Sequence, residues 1–178
     1  MIKETPKTYC EFVSNLDATH IHKIYHDTQY GFPINDDNEL FGRLILEINQ
    51  AGLSWTTILN KQNNFRKAYA SFNIQKVANY SQKDINRLLS DPGIIRNKLK
   101  VNAALYNAKQ ILRIQKEFGS FKSWLENNRI RKLEDWVKLF KKTFKFTGGE
   151  ITKEFLISTG YLKGAHLKSC PVFLKIIS

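Results

Sequence analysis

Residues 81–119 read SQKDINRLLSDPGIIRNKLKVNAALYNAKQILRIQKEFG, and this stretch decides the fold because it contains two helical patterns separated by a short turn. Ser81 and Asp84 have the spacing of a capping box at the start of the first helix. Pro92 and Gly93 then break the pattern, since proline lacks a backbone N–H and glycine favours turns. The second helix is predicted over 97–118, where Gly119 ends a run of apolar residues at helical spacing: Val101, Ala104, Leu105, Ala108, Ile111, Leu112 and Ile114.

The turn between these two helices has the composition of a phosphate-binding site. The backbone N–H groups around Gly93 and Ile94 have no helical partner, and the N-terminal end of the following helix attracts anions. Arg96, Lys98 and Lys100 add positive charge beside the turn, which favours contact with the phosphates of a DNA backbone. An ordinary corner between packed helices has the same composition, so the residues alone leave both interpretations open.

Outside this stretch the pattern is also helical. Asp36 or Asp37 can cap a helix that Gly52 ends, and Ser54 can cap the next helix, over 55–69. Further helices are predicted over 73–79, 121–126, 133–144 and 150–159. No segment alternates in hydrophobicity over the length that a β-strand needs. The sequence therefore predicts an all-α protein, and 178 residues suffice for a single domain with one buried core.

The charge of the chain favours a polyanionic partner. Lys and Arg number 28 against 16 Asp and Glu, which gives a formal net charge of +12 at pH 7. Nucleic acid is favoured over a membrane because the sequence has neither an apolar run long enough to span a bilayer nor a strongly basic amphipathic segment. The first ten residues, MIKETPKTYC, do not resemble a secretory leader, so we expect a reducing, cytoplasmic location.

Four side chains near the chain ends are suited to binding a metal ion. Cys10 and His26 lie near the start, His166 and Cys170 lie near the end with the spacing H-x3-C, and these are the only two cysteines. Two thiolates and two imidazoles form a complete tetrahedral ligand set for structural zinc. Because the short Cys-x2-4-Cys knuckle is missing, unrelated thiols and histidines are an alternative interpretation. A Cys10–Cys170 disulfide is a third interpretation, disfavoured by the expected reducing compartment.

Four segments resemble the DNA-3-methyladenine glycosylase I family, within the helix-hairpin-helix superfamily of DNA glycosylases. They are YHDTQYGFP at 25–33, LEINQAGLSWTTILNKQNNFRKAYASF at 46–72, DPGIIRNKLKVNAALYNA at 91–108 and FKFTGGEITKEFLISTGYLKGAHLKSCPVF at 144–173. The resemblance covers nearly the whole chain from Cys10 onward, and it implies one catalytic domain over 1–178 with a hairpin at about 88–100. It also implies zinc-binding segments at about 10–26 and 166–170, which would hold one structural zinc ion through Cys10, His26, His166 and Cys170.

The same resemblance implies an enzyme that flips a damaged nucleotide out of double-stranded DNA and hydrolyses its N-glycosyl bond. The expected substrate is alkylated DNA containing 3-methyladenine, with 3-methylguanine as a second candidate base, and free 3-methyladenine is the product. Tyr25, Glu47 and Trp55 match the base-binding residues of the family, and Phe12 stands where the family commonly has a tryptophan. N3-methylated adenine in DNA is cationic, so aromatic rings and a carboxylate would favour it over neutral adenine. A monomer that does not contact membranes is expected.

The DNA-binding residues implied by the resemblance lie in two loops. Leu53 fits the wedge that fills the gap left by a flipped base, although packing between two helices would also explain a leucine there. The hairpin residues that would hold the DNA backbone are Gly93, Ile94, Arg96 and Lys98. Glu47 lies in the apolar run LILEI, and its alternative role is a solvated position on the helix.

The helix after the turn lacks an acid that related enzymes use. Most helix-hairpin-helix glycosylases place an aspartate there, whereas residues 97–116 of this chain contain no Asp or Glu. A cationic purine departs with little protonation, so the site needs only to bind the transition state and admit water. The sequence therefore predicts a monofunctional hydrolase without lyase activity, in which Glu47, the catalytic carboxylate, acts by recognising the base.

Two departures from the family pattern affect the predicted base preference. Phe12 replaces the tryptophan, and His22 stands where a tyrosine is often found. The alternative function is a non-catalytic, zinc-containing helix-hairpin-helix DNA-binding protein. A metal-stabilised adaptor between proteins is a second alternative, against which a steep salt dependence of DNA binding would argue.

Overall fold

The computed structural model describes residues 6–129 and 132–177, and within them it contains helices and no strand. The α-helices are α1 (Tyr9–Ser14), α2 (Ile21–Thr28), α3 (Asp37–Gln50), α4 (Trp55–Ala68), α5 (Ile74–Ala78), α6 (Gln82–Ser90), α7 (Lys98–Phe118), α8 (Phe121–Asn127), α9 (Leu133–Thr143), α10 (Gly149–Ser158) and α11 (Phe173–Ile177). The predicted all-α class is confirmed. Among the described residues, no helix combines the length and apolar character needed to cross a membrane.

The chain divides into two compact units. Unit 1 comprises Met1–Pro33 and Leu156–Ser178, and unit 2 comprises Ile34–Phe155. The prediction of one catalytic domain over 1–178 stays a prediction, and residues 1–5, 130, 131 and 178 of that range lie outside the described residues.

Helix α3 is enclosed on all sides within unit 2. The carboxylate of Asp36 caps the helix by accepting the backbone N–H of Glu39 at 3.0 Å, as the sequence predicts. Every residue from Leu40 to Asn49 is buried, because α4, α5, α7 and α8 all pack against this helix. The polar residues near its C-terminal end, Glu47 among them, are therefore held in a densely packed environment.

The helices predicted from residues 81–119 are α6 and α7. The backbone N–H of Ser81 donates to the carboxylate of Asp84 at 2.9 Å, which completes the predicted capping box. Gly119 ends α7 with a φ of +83°, a left-handed conformation that glycine adopts without strain. Since α7 packs against α3, α5, α6 and α8, it joins the turn at 91–97 to the core of unit 2.

Unit 1 contains short helices that the sequence patterns did not delimit. Thr8 caps α1 by accepting the backbone N–H of Glu11 at 3.1 Å, and the ring of His20 accepts the N–H of His22 at the start of α2. α1 packs against α2. This arrangement places Cys10 on α1 and His26 on α2.

Candidate functional site

Unit 1 brings the four predicted metal ligands together. The ligand atoms of Cys10, His26, His166 and Cys170 all lie within 4.8 Å of one another. Each sulfur lies between 3.4 and 3.9 Å from a ring nitrogen of both histidines. Both cysteines are free thiols, and the interpretation as unrelated side chains is excluded by their convergence with the histidines. The cluster could hold one metal ion.

Hydrogen bonds orient both imidazole rings of this cluster. Oδ1 of Asp27 lies 2.6 Å from Nδ1 of His26, so Nε2 of that ring faces the sulfurs. The carbonyl oxygen of Tyr30 lies 2.7 Å from Nε2 of His166, so Nδ1 of that ring faces the sulfurs. A ring N–H that donates to a fixed acceptor sets the tautomer and leaves the other nitrogen free to ligate. Neither acceptor was predicted from the sequence, although the aspartate directly after His26 was an available signal for the first.

Burial and hydrogen bonding set the charges of the groups in and beside this cluster. Burial raises the pKa of the Cys10 thiol and lowers the pKa of the His166 imidazole, so that both groups favour their neutral forms. The backbone N–H of Leu167 donates to the Cys10 sulfur at 3.4 Å, which stabilises a thiolate. Although burial opposes ionisation of Asp27, hydrogen bonds from His26 and Lys23 hold the pKa of this carboxyl below its usual value. A metal ion would deprotonate the thiols and coordinate the neutral imidazoles, as this donor set requires.

The C-terminal end of α3 carries the predicted base-binding carboxylate in unit 2. Glu47 is 5% exposed, so the alternative of a solvated helix position is wrong. Arg43, also buried, lies four residues earlier on the same helical face. Trp55 begins α4, and its N-terminal neighbour Ser54 caps that helix by accepting the N–H of Thr57 at 3.2 Å. The sequence between α3 and α4 is thus a short connection with its ends fixed by two helices.

This connection presents Leu53 to solvent. The backbone N–H of Leu53 donates to the carbonyl of Gln50 at 2.7 Å, and the side-chain amide of Gln50 donates to the carbonyl of Leu53 at 2.9 Å. Gly52 has a φ of +80°, which a residue with a side chain would adopt only with strain. The leucine is 38% exposed. Packing between two helices therefore covers only part of the Leu53 side chain.

In the turn before α7, the backbone N–H groups without a partner are not those that the sequence predicts. The side chain of Asp91 accepts the N–H of Gly93 at 2.7 Å, and its carbonyl accepts the N–H of Ile94 at 3.4 Å, so both groups taken as unpaired are bonded. In the described structure of this turn, the backbone N–H groups of Ile95, Arg96 and Lys98 have no acceptor. The side chains of Arg96 and Lys98 are exposed, whereas Ile94 is buried. The turn therefore offers an anion backbone donors that follow Ile94, together with the predicted cations Arg96 and Lys98.

Lys100 does not supply the surface charge that the sequence analysis assigned to it. Its ammonium group is buried and donates to the carbonyl oxygens of Asn49 at 2.9 Å and Ala51 at 2.7 Å. The available signal was its position, four residues before Ala104 on the apolar face of α7.

Tyr25 and Phe12 belong to unit 1, where they lie in a cluster of rings. Tyr25 is 3% exposed and its ring centre lies 5.7 Å from that of Tyr30. Phe12 is 39% exposed and stacks on Tyr9 at 6.1 Å between ring centres. The hydroxyl of Tyr9 lies 2.9 Å from Nδ1 of His22, so this histidine is part of the same cluster. The assignment of Phe12 and Tyr25 to base binding stays a prediction.

Comparison with known proteins gives relatives over most of the chain. The sequence profile described as methyladenine glycosylase matches residues 15–137. DNA-3-methyladenine glycosylase 1 of Escherichia coli (strain K12) is 32% identical over 165 residues, which cover 82% of this chain and 88% of that protein. The solved structure of 3-methyladenine DNA glycosylase I from Staphylococcus aureus has a TM-score of 0.79 at 33% identity, over 85% of this chain and 90% of that one. A second solved structure, a variant 3-methyladenine DNA glycosylase I in complex with 3-methyladenine, has a TM-score of 0.79 at 32% identity, over 85% and 91% of the two chains.

Proposed function

Because this chain belongs to the methyladenine glycosylase family, we propose that it excises 3-methyladenine from alkylated double-stranded DNA by hydrolysing the N-glycosyl bond. The observation that carries the proposal is the burial of Glu47 at the end of α3, beside the connection that exposes Leu53 and leads to Trp55. A carboxylate kept from water interacts more strongly with a cationic base than an exposed one does. 3-Methylguanine, which carries the same charge, is a second candidate base.

The chemistry follows from the charge of the substrate. Breaking the bond between C1′ and N9 transfers the bonding electron pair to the positively charged purine, which departs as neutral 3-methyladenine. Water adds to the oxocarbenium-like C1′ and loses a proton to solvent. Since the leaving group needs little protonation, an acid on α7 is not required, and residues 97–116 contain none. In this scheme Glu47 recognises the cationic base, and the enzyme is monofunctional, without lyase activity.

The roles of the remaining residues are proposed on the same basis. Trp55, Tyr25 and Phe12 supply rings for stacking on the base, in line with their match to the family. Leu53 fills the gap that the extruded base leaves, which its exposure in a tight connection supports. α6, the turn at 91–97 and α7 act as the helix-hairpin-helix that grips the DNA backbone through Arg96, Lys98 and the nearby N–H groups.

We propose that the metal is a single structural zinc ion. Zinc–sulfur bonds of about 2.3 Å and zinc–nitrogen bonds of about 2.0–2.1 Å separate sulfur from nitrogen by about 3.6 Å in a tetrahedron. The four sulfur–nitrogen distances of the cluster, 3.4 to 3.9 Å, bracket this value. Four protein ligands leave no position for a reacting water, so the ion would stabilise unit 1 and take no part in cleavage. The cytoplasmic location and the monomeric state stay predictions.

The decisive experiment is release of the free base from methylated duplex DNA under single-turnover conditions. We expect release by the parent protein and a fall of about tenfold or more in the affinity of Glu47→Gln for free 3-methyladenine, because the neutral base loses the charged carboxylate that would accept its N–H groups. Quenching of tryptophan fluorescence by the free base measures that affinity. Glu117→Gln, the same change at an exposed position of α7, is the matched control and should behave as the parent.

Two outcomes would overturn parts of the proposal. A parent protein that binds methylated DNA but releases no base would favour the non-catalytic DNA-binding alternative. A Glu47→Gln variant that keeps its affinity for 3-methyladenine and loses all cleavage would make Glu47 a general base instead of a recognition residue.

A further inference from the structure

One lysine connects the turn before α7 to the connection that follows α3. Lys100 lies in the first turn of α7, and the side chain of Asn97, the last residue of the turn, accepts its backbone N–H at 3.1 Å. At the other end of the same residue, the ammonium group donates to the carbonyls of Asn49 and Ala51. Leu53 is two residues beyond Ala51.

The environment of this ammonium group is unusual for a lysine. The residue is 5% exposed, and burial lowers the pKa of its side chain. The two carbonyls come from the C-terminal end of α3, where unsatisfied oxygens and the helix dipole favour a cation. The ring of Phe146 lies 5.8 Å from Nζ and adds a further favourable contact. With two of its three donors bonded to the protein and little access to solvent, Lys100 is not available as a phosphate contact.

The segment that Lys100 holds also borders a cavity. Gln50, Ala51 and Gly52 line a space of about 620 Å³ together with residues at the start of α10, including Gly148 and Gly149. Release of the Ala51 carbonyl would remove one bond that holds the connection and leave the bonds between Gln50 and Leu53. The position of Leu53 would then depend on those local bonds and on the packing of its covered surface.

We propose that Lys100 is a positioning residue, which fixes the connection carrying Leu53 to the first turn of α7 so that the DNA-gripping turn and the inserted leucine act as one rigid element. This inference rests on the proposed function, in which the turn at 91–97 holds the backbone and Leu53 replaces the extruded base. A leucine inserted between bases must keep its position while the neighbouring bases tend to restack. A leucine on a flexible connection would not keep that position. Extrusion of the base is the step that the lysine assists.

The test separates extrusion from DNA binding in the full-length protein. Lys100→Met keeps much of the aliphatic side chain and removes the donors, and Lys100→Arg keeps the charge and the donors. We expect Lys100→Met to lower the single-turnover release rate at saturating enzyme by about tenfold, with less than about threefold change in the Kd for undamaged duplex. Lys100→Arg should recover a substantial part of the rate. Lys109→Met removes an exposed lysine from the same helix and should match the parent in both measurements.

A spectroscopic measurement covers the case in which Lys100→Met does not fold. A 2-aminopurine placed beside the lesion reports unstacking of the duplex by its fluorescence. The rate of the slow fluorescence change should be lower in Lys100→Arg than in the parent, by the same factor as the release rate. A folded Lys100→Met with the parental release rate would overturn the proposal. So would weaker binding of undamaged DNA with an unchanged saturating rate, or a Lys100→Arg variant whose unstacking and release change independently. If the parent releases no base at all, the proposed function fails first.

Discussion

At the level of single residues, Gly42 shows how one missing side chain positions α3. The three residues of the turn Ala70–Phe72 have positive φ angles of 50°, 57° and 60°, which is rare for residues with side chains. This left-handed turn directs the ring of Phe72 against Gly42, where an added Cβ would overlap the ring. Phe72 is buried, so neither group has space to move.

We therefore predict that Gly42→Ala destabilises the protein by about 1–3 kcal/mol, even though alanine favours helices more than glycine does. Urea unfolding followed by circular dichroism measures the change. Gly148→Ala is the control, since a Cβ at Gly148 meets nothing within 4 Å and its φ is not positive. Equal midpoints for the two variants would mean that Phe72 does not fill the space above Gly42.

At the level of elements, the turn at 91–97 has charges whose role can be measured. Arg96 and Lys98 are exposed and lie among backbone N–H groups without an acceptor in the described residues. Replacing Lys98 by Met should weaken binding of damaged and undamaged duplex by a similar factor and reduce the slope of log Kd against log salt by about 1, because one phosphate contact is lost. Lys116→Met, an exposed lysine near the other end of α7, is the control. An unchanged slope would remove the turn from the DNA interface.

The accuracy of the sequence-based prediction also varies by element. α3, α4, α6 and α7 were predicted to within about two residues, because their caps at Asp36, Ser54, Ser81 and Gly119 act locally and are visible in the sequence. α1 and α11 have six and five residues, too few for a hydrophobic period to be recognised, whereas the equally short α5 was predicted because Asn73 can cap it. The 3-10 turn at Ala70–Phe72 was also absent from the prediction, since its left-handed residues are not glycines and are held by packing.

In the candidate site, side-chain ligands could be predicted from the sequence and contacts with backbone atoms could not. The four metal ligands could be proposed because Cys and His are scarce in this chain and chemically distinctive. The contacts of His166 with the Tyr30 carbonyl and of Lys100 with two carbonyls could not be predicted, since backbone atoms carry no sequence signature and the contacts span 136, 51 and 49 residues. Lys100 was wrongly assigned to the surface because the chain has a net charge of +12, and the sequence does not distinguish one buried lysine from many exposed ones.

At the level of the whole molecule, the cluster of four candidate metal ligands joins segments near the two ends of the chain. Cys10 and His166 are 156 residues apart, and closing so long a loop costs entropy that local contacts do not offset. A metal ion bound only by the folded state repays this cost through mass action. At a free concentration of about a thousand times its Kd, the stabilisation is about 4 kcal/mol.

Removal of the metal should therefore lower the Tm by about 10 °C, given that 1 kcal/mol corresponds to about 2–4 °C for a chain of this size. Calorimetry of protein with measured metal content, before and after chelation, tests this, and Cys170→Ser should reproduce the loss. Asp27→Asn keeps all four ligands and weakens only the acceptor that orients His26, so it should lose affinity for the metal by about 10- to 100-fold and melt about 3–10 °C below the parent at the same excess of zinc. Because an ion held by all four side chains would have no open coordination position, base release by metal-free protein, assayed well below its lowered Tm, should persist. Loss of release at a temperature where the metal-free fold is intact would instead give the ion a part in the reaction.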